Sequence, residues 1–212
     1  QINVTSTREF AAVARSMNEL SQRIQSMLSD EAELLKGKKA VSDLDETTGL
    51  LNRDTFMSQF ATTLGRENEE AKGSLALIRL LGLADMNREY GRRLIDTLLL
   101  DIGSALNTLR QETNYSLNCS IGRMNGADLC AIASNEANAK NLADAMQRAV
   151  KATLSNHGID ASYKVAAACI EFEYGDGVGD LLVAADNALA QSEQRVGNPI
   201  VAAELSQGFA DP

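Results

Sequence analysis

Ser74–Leu81 reads SLALIRLL, an apolar run broken only by Arg79. Its length and flanks predict a buried strand. A strand with no polar face commits the chain to a layered fold, because apolar surface must cover it from both sides. The neighbouring segments supply those layers. A helix is expected from about Arg53 to Gly65, a short helical piece over Ala84–Tyr90, and a longer helix over Arg93–Glu112. The last carries Leu94, Leu98, Ile102, Leu106 and Leu109 at helical spacing. Two short strands, Leu117–Arg123 and Asp128–Ser134, flank Met124-Asn125-Gly126-Ala127, and Asn-Gly between strands signals a hairpin. An amphipathic helix over Asn138–Asn156 ends near Gly158. A strand over Tyr163–Glu173, a helix over Asp180–Val196 and a short strand over Ile200–Ala203 close the chain. The expected fold is α/β (α+β), a mixed sheet flanked by helices.

The first forty residues follow a different pattern. Phe10, Val13, Met17, Leu20, Ile24 and Met27 recur at spacings of three and four, and the stripe continues through Leu34 to Val41. A period of 3.5 makes a narrow seam that pairs with another helix. Carried through Val41, such a helix is ~48 Å long at ~1.5 Å per residue. The expected partner is a second copy, in a parallel homodimer; the alternative is a helix folded back on its own domain. Glu31 and Lys38 interrupt the other register and would weaken the seam near its C-terminal half.

Composition removes several functions. The chain has 212 residues, a formal charge of −9 and 4% aromatic residues with no Trp. An acidic surface repels a phosphate backbone and an anionic membrane, and aromatic scarcity disfavours base stacking, so no nucleic-acid partner is expected. A single histidine, His157, excludes a multi-histidine metal site, and its place before Gly158 suits a helix cap. Cys119, Cys130 and Cys169 lack metal-ligand spacing and read as free thiols of a reduced compartment. No apolar run reaches the ~20 residues of a membrane span. The chain opens at Gln1, without Met, and is expected to be a piece of a longer protein.

From Asp45 to Glu204 the order of motifs resembles the GGDEF domain, the fold of diguanylate cyclases. Asp45-Glu46-Thr47-Thr48-Gly49-Leu50-Leu51-Asn52-Arg53 resembles the family's opening motif, with Thr47 where Leu is usual. Asn87-Arg88-Glu89-Tyr90-Gly91 with Asp96 and Leu99 resembles its second block. Asp186-Asn187-Ala188-Leu189-Ala190 with Gly197 resembles its closing helix. Asn125-Gly126-Ala127-Asp128-Leu129 occupies the signature position.

The resemblance implies a chemistry, and the residues depart from it. Active relatives condense two GTP molecules into cyclic di-GMP with Mg²⁺, which wants carboxylate oxygens. The resemblance puts a metal-binding Asp at position 79, where this chain has Arg79. In the signature one acid is Ala127 and the other is Asp128, expected to be the only carboxylate left in that cluster. Asn125 replaces a Gly that lets backbone approach a ligand. The two triphosphate lysines become Ala84 and Glu193, and the product-inhibition positions hold Ser116 and Cys119. No catalysis, no metal and no cofactor are therefore expected. Asn87 and Asp96 match the family's guanine-reading pair, which implies residual guanine binding; the plainer reading is a helix cap at Asn87 and a solvated Asp96. Arg79 itself is expected to be able to pair with a phosphate.

Phe10, Met17 and Leu20 resemble a HAMP-derived signalling helix, and Leu77–Leu80, Leu83–Asn87 and Asp186–Arg195 resemble the LapD-type family of inner-membrane cyclic di-GMP receptors. The resemblance implies three parts: residues 1–43 as signalling helix, 44–206 as a degenerate GGDEF domain, and 207–212 as linker to an EAL-like domain. It implies a non-catalytic relay in the cytoplasmic portion of a bacterial inner-membrane protein controlling adhesion and biofilm. The EAL-like domain would bind cyclic di-GMP, a diguanylate cyclase is a further partner, and the membrane is reached only by segments outside this chain. The alternatives are a GTP-binding regulatory domain and an active cyclase built around Asp128.

Overall fold

The structure is a computed structural model, and it describes residues 43–65, 72–112, 119–134, 138–160, 163–173 and 175–205. The stripe from Phe10 to Leu34, Ser116 and the 207–212 linker lie outside the described residues. Two compact units divide the chain, residues 1–42 and residues 43–212. Within the second the order is α1 (Arg53–Leu64), β1 (Gly73–Leu80), α2 (Leu83–Tyr90), α3 (Arg92–Glu112), β2 (Cys119–Arg123), β3 (Asp128–Ser134), α4 (Ala139–Asn156), β4 (Val165–Phe172), α5 (Val178–Gln194) and β5 (Val201–Ala202). The last helix begins two residues before the expected Asp180, with Gly177 at its N-cap. No described helix is long and apolar enough to cross a membrane.

Five strands form one sheet in the order β2-β3-β1-β4-β5, antiparallel except for the β4–β5 pair. β1 is central, which explains why its Leu75–Leu80 stretch is apolar on both faces apart from Arg79. Side chains alternate along it. Ala76, Ile78 and Leu80 pack with Met86, Ile95, Leu98, Ile102, Leu142 and Met146 of α2, α3 and α4. Leu75 and Leu77 face the other way, with Phe56 and Phe60 of α1 and Leu181, Ala185 and Leu189 of α5. Arg79 shares their parity and therefore points to the α1–α5 side. Small residues on β4, Ala166, Ala167 and Ala168, let helices on both faces approach closely; Phe60 and Phe172 meet edge to face at 5.4 Å.

Local chemistry starts and stops these elements. Asn52 caps α1 by accepting from the Thr55 amide at 2.9 Å. Ahead of it the opening turn closes on Asp45, whose Oδ1 accepts from the Thr48 amide and hydroxyl at 2.9 and 2.8 Å. Gly49 takes φ +67° there, where a side chain would be strained. Leu51 then pairs with β2: its amide donates to the Ile121 carbonyl, and the Arg123 amide donates back to Leu51. This covers an edge of the sheet.

The β2–β3 hairpin sits where Asn125-Gly126 predicts it, with a different device. Neither residue has positive φ, so the two-residue primed turn that Asn-Gly favours does not form. The loop instead spans Met124–Ala127 and closes on the Asn125 side chain, whose Oδ1 accepts from the Ala127 and Asp128 amides, both at 3.1 Å.

Candidate functional site: a clamped arginine at the hairpin end of the sheet

The β1–β3 register places Arg79 directly opposite Asp128. Arg79 Nε and Nη2 donate to the two Asp128 carboxylate oxygens at 2.5 and 2.7 Å, a bidentate pair. Its Nη1 donates to Glu193 Oε1 at 2.8 Å and its Nη2 to Asp186 Oδ1 at 3.0 Å. Asp186 and Glu193 are seven residues apart on α5, so two helical turns bring both to one face. Asp128 is the most enclosed of the three acids, with 11% of its side chain exposed against 60% for Asp186. The Asp128 hydrogen bonds, opposed by burial and helped by Glu193, push the Arg79 pKa even further above its ordinary value. The guanidinium is a permanent charge.

Two sequence expectations need correction here. Asp128 is not the lone carboxylate of this cluster, because α5 brings Asp186 and Glu193 to it. Arg79 is not free to pair with a phosphate: four of its five N–H donors are committed to carboxylates. The sequence carried a faint signal for both corrections in the i, i+7 spacing of the α5 acids. The β1–β3 facing was not legible, because these strands are not consecutive in the chain.

The hairpin is tied to the same cluster. Asn125 Nδ2 donates to Asp128 Oδ2 at 2.6 Å. Arg123 donates from Nε to the Asn125 carbonyl at 3.1 Å and from Nη2 to the Gly126 carbonyl at 2.8 Å. Its Nη1 reaches Asp45 Oδ1 at 2.9 Å. Asp45 is held below its ordinary pKa. Burial alone would raise it, and the Arg123 and Thr48 hydrogen bonds outweigh that. Gly126 is exposed with open space at its Cβ position. The Ala127 carbonyl accepts from the Leu80 amide, and Leu129 is buried in the α2–α4 layer.

Asn87 and Asp96 lie on α2 and α3. Asn87 is not a helix cap: it sits inside α2 and its Nδ2 donates to the Leu83 carbonyl at 2.9 Å. Asp96 is exposed on α3. No hydrogen bond or ion pair among the described residues joins either to the Arg79 cluster. Ala84 is exposed at the start of α2. His157 caps α4, and its Nε2 lies 2.7 Å from Asp101 Oδ2. Cys119, Cys130 and Cys169 are free and buried. Among the described residues no group of three His, Cys, Asp or Glu is arranged to hold a metal; the carboxylates here converge on a guanidinium.

Residues 42–199 match the family described as "Diguanylate cyclase, GGDEF domain". The chain belongs to the GGDEF family. The solved structures most like this GGDEF chain in fold include the coiled coil and GGDEF domain of DgcB from Caulobacter crescentus in complex with c-di-GMP. That structure is 20% identical with a TM-score of 0.74, over 89% of this chain and 100% of that one. The S helix-GGDEF-EAL structure of Vibrio cholerae LapD bound to c-di-GMP is 20% identical with a TM-score of 0.67. The match covers 82% of this chain and 40% of that one. SiaD from Pseudomonas aeruginosa, in complex with its activator SiaC, is 16% identical with a TM-score of 0.65, over 95% of this chain and 77% of that one. No curated protein sequence matches the chain.

Proposed function

We propose that this GGDEF domain is a non-catalytic signalling module of a cyclic di-GMP receptor. The observation that carries the reading is the Arg79 guanidinium, gripped by Asp128, Asp186 and Glu193 at the end of β1. By the family resemblance, position 79 belongs to a metal-binding Asp and position 193 to a triphosphate lysine. Here both charges are reversed, and the reversed pair bonds to itself. A divalent cation would have to displace a guanidinium making four hydrogen bonds, so the residues present do not fit Mg²⁺. A triphosphate would face three carboxylates, and Ala84 adds no compensating charge.

In this reading residues 1–43 form a HAMP-derived signalling helix that pairs in parallel with a second copy along Phe10, Val13, Met17, Leu20, Ile24, Met27 and Leu34. Residues 44–206 are the degenerate GGDEF domain, and 207–212 lead to an EAL-like domain that binds cyclic di-GMP. The chain is then the cytoplasmic portion of a bacterial inner-membrane protein that controls adhesion and biofilm, with a diguanylate cyclase as a further partner. Similarity to the LapD structure, which joins S helix, GGDEF and EAL, supports this arrangement; the chain spans 40% of that structure's length.

The test is incubation of the chain with GTP and Mg²⁺, followed by chromatography for cyclic di-GMP. No product is expected. More than one product molecule per chain, lost in Asp128→Ala, overturns the reading in favour of an enzyme. Saturable binding of GTP over ATP without product, abolished by Asp96→Ala, moves it to a GTP-responsive regulator.

A further inference from the structure

We infer that one continuous line of hydrogen bonds couples the opening turn of the domain to the last turn of α5, with Asn125 as its joint. The line begins at Asp45 Oδ1, which accepts from Thr48 and from Arg123 Nη1. Arg123 passes it to the hairpin through the Asn125 and Gly126 carbonyls. The Asn125 amide passes it to Asp128 Oδ2, the oxygen that also accepts from Arg79 Nη2. Arg79 passes it to Glu193 and Asp186 on α5. The line ends there; a separate bond, from Asn198 Nδ2 to the Ser192 carbonyl at 3.0 Å, holds the same helix end.

Three properties make this a coupling line rather than a set of local bonds. Two acceptor atoms are shared between links: Asp45 Oδ1 serves three donors, and Asp128 Oδ2 serves two. Moving one donor therefore changes the bond made by the next. The two arginine links are partly buried, with Arg123 and Asp128 each showing 11% of the side chain to solvent, which strengthens polar bonds and penalises breaking them singly. The line also joins pieces of chain far apart in sequence, since Arg123 lies 78 residues from Asp45 and Arg79 lies 114 residues from Glu193.

Asn125 is the joint because its backbone carbonyl accepts from Arg123 while its side-chain amide donates to Asp128. Without its amide, Arg123 would still hold the hairpin backbone and Arg79 would still hold Asp128, but the two halves would share no side-chain bond. Packing gives no equivalent path through this residue, as Asn125 is exposed. The regulatory meaning of the coupling rests on the signalling reading above: a change delivered at residues 43–52 would reach the end of α5.

Amide hydrogen exchange on the full chain, without nucleotide, tests the coupling. Asp45→Asn weakens the Arg123 link. It is expected to speed exchange in residues 190–195 by about threefold while β4 stays unchanged. In an Asn125→Ala background those amides exchange faster from the start, and adding Asp45→Asn changes them no further. Should Asp45→Asn not fold, Glu193→Gln is read in the other direction, at residues 124–128 and 45–48, with and without Asn125→Ala. Acceleration confined to the mutated end, or an equal increment in both backgrounds, overturns the inference. Product formed from GTP would sink the signalling reading and leave this coupling standing; an uncoupled chain that forms no product would do the reverse.

Discussion

Arg79 sits on a central strand whose neighbours are apolar, where an unpaired guanidinium would be costly. Three carboxylates remove that cost and create a dependence. In Arg79→Met the apolar stem is replaced, four hydrogen bonds vanish, and Asp128, Asp186 and Glu193 lose the cation they converge on. Urea unfolding should show a loss of about 2–4 kcal/mol. Arg79→Lys should recover only part of it, because an ammonium cannot fork across Asp128. Asp45 makes a second residue-level prediction. Its folded pKa lies below its unfolded value, because the Arg123 and Thr48 bonds favour the ionised form against burial. The stability this contributes is complete above about pH 4 and is lost as pH falls through the folded pKa. Urea midpoints taken from about pH 6 to about pH 3 should therefore converge between wild type and Asp45→Asn. Both charges were legible in the sequence. Their partners were not, since Arg79 lies 49 residues from Asp128 and Asp45 lies 78 from Arg123.

At the scale of elements, helices and strands follow their local signals closely. β1 reads as a buried strand because it is one, and α3 carries its leucines at helical spacing. The hairpin shows where local signals stop. Asn-Gly marks its position, yet the Asn125 side chain, rather than two residues of positive φ, closes the loop. Gly103 is another case. A glycine in mid-helix costs about 1 kcal/mol against alanine, which the sequence alone cannot justify. The structure justifies it: a Cβ on Gly103 would lie 1.9 Å from the Thr48 carbonyl oxygen. α3 and the opening turn are in backbone contact there. Gly103→Ala should therefore destabilise by about 2 kcal/mol despite better helix propensity, read as a lowered thermal midpoint.

For the whole molecule, the sheet carries a helical layer on each face, and the three thiols report on both. Cys119 and Cys169 belong to the α2–α4 layer and Cys130 to the α1–α5 layer. Burial pushes the Cys119 pKa up to about 11 and raises those of Cys130 and Cys169. A thiolate is the reactive form, so a thiol reagent near neutral pH should find all three silent in the folded domain. In urea all three should react, in step with the loss of helical signal. A thiol that reacts early would mark a layer that opens alone.

The sequence by itself determined which elements form, in what order and with which family pattern, because periodicity, caps and turn residues act within a few positions of one another. It also determined that positions 79, 127 and 193 carry Arg, Ala and Glu. Only the tertiary structure decided what those residues do together. The register of non-consecutive strands sets Arg79 against Asp128, and the packing of α5 on the sheet delivers Asp186 and Glu193 to the same guanidinium. Such pairings depend on how distant segments share one core, and no stretch of neighbouring residues encodes that.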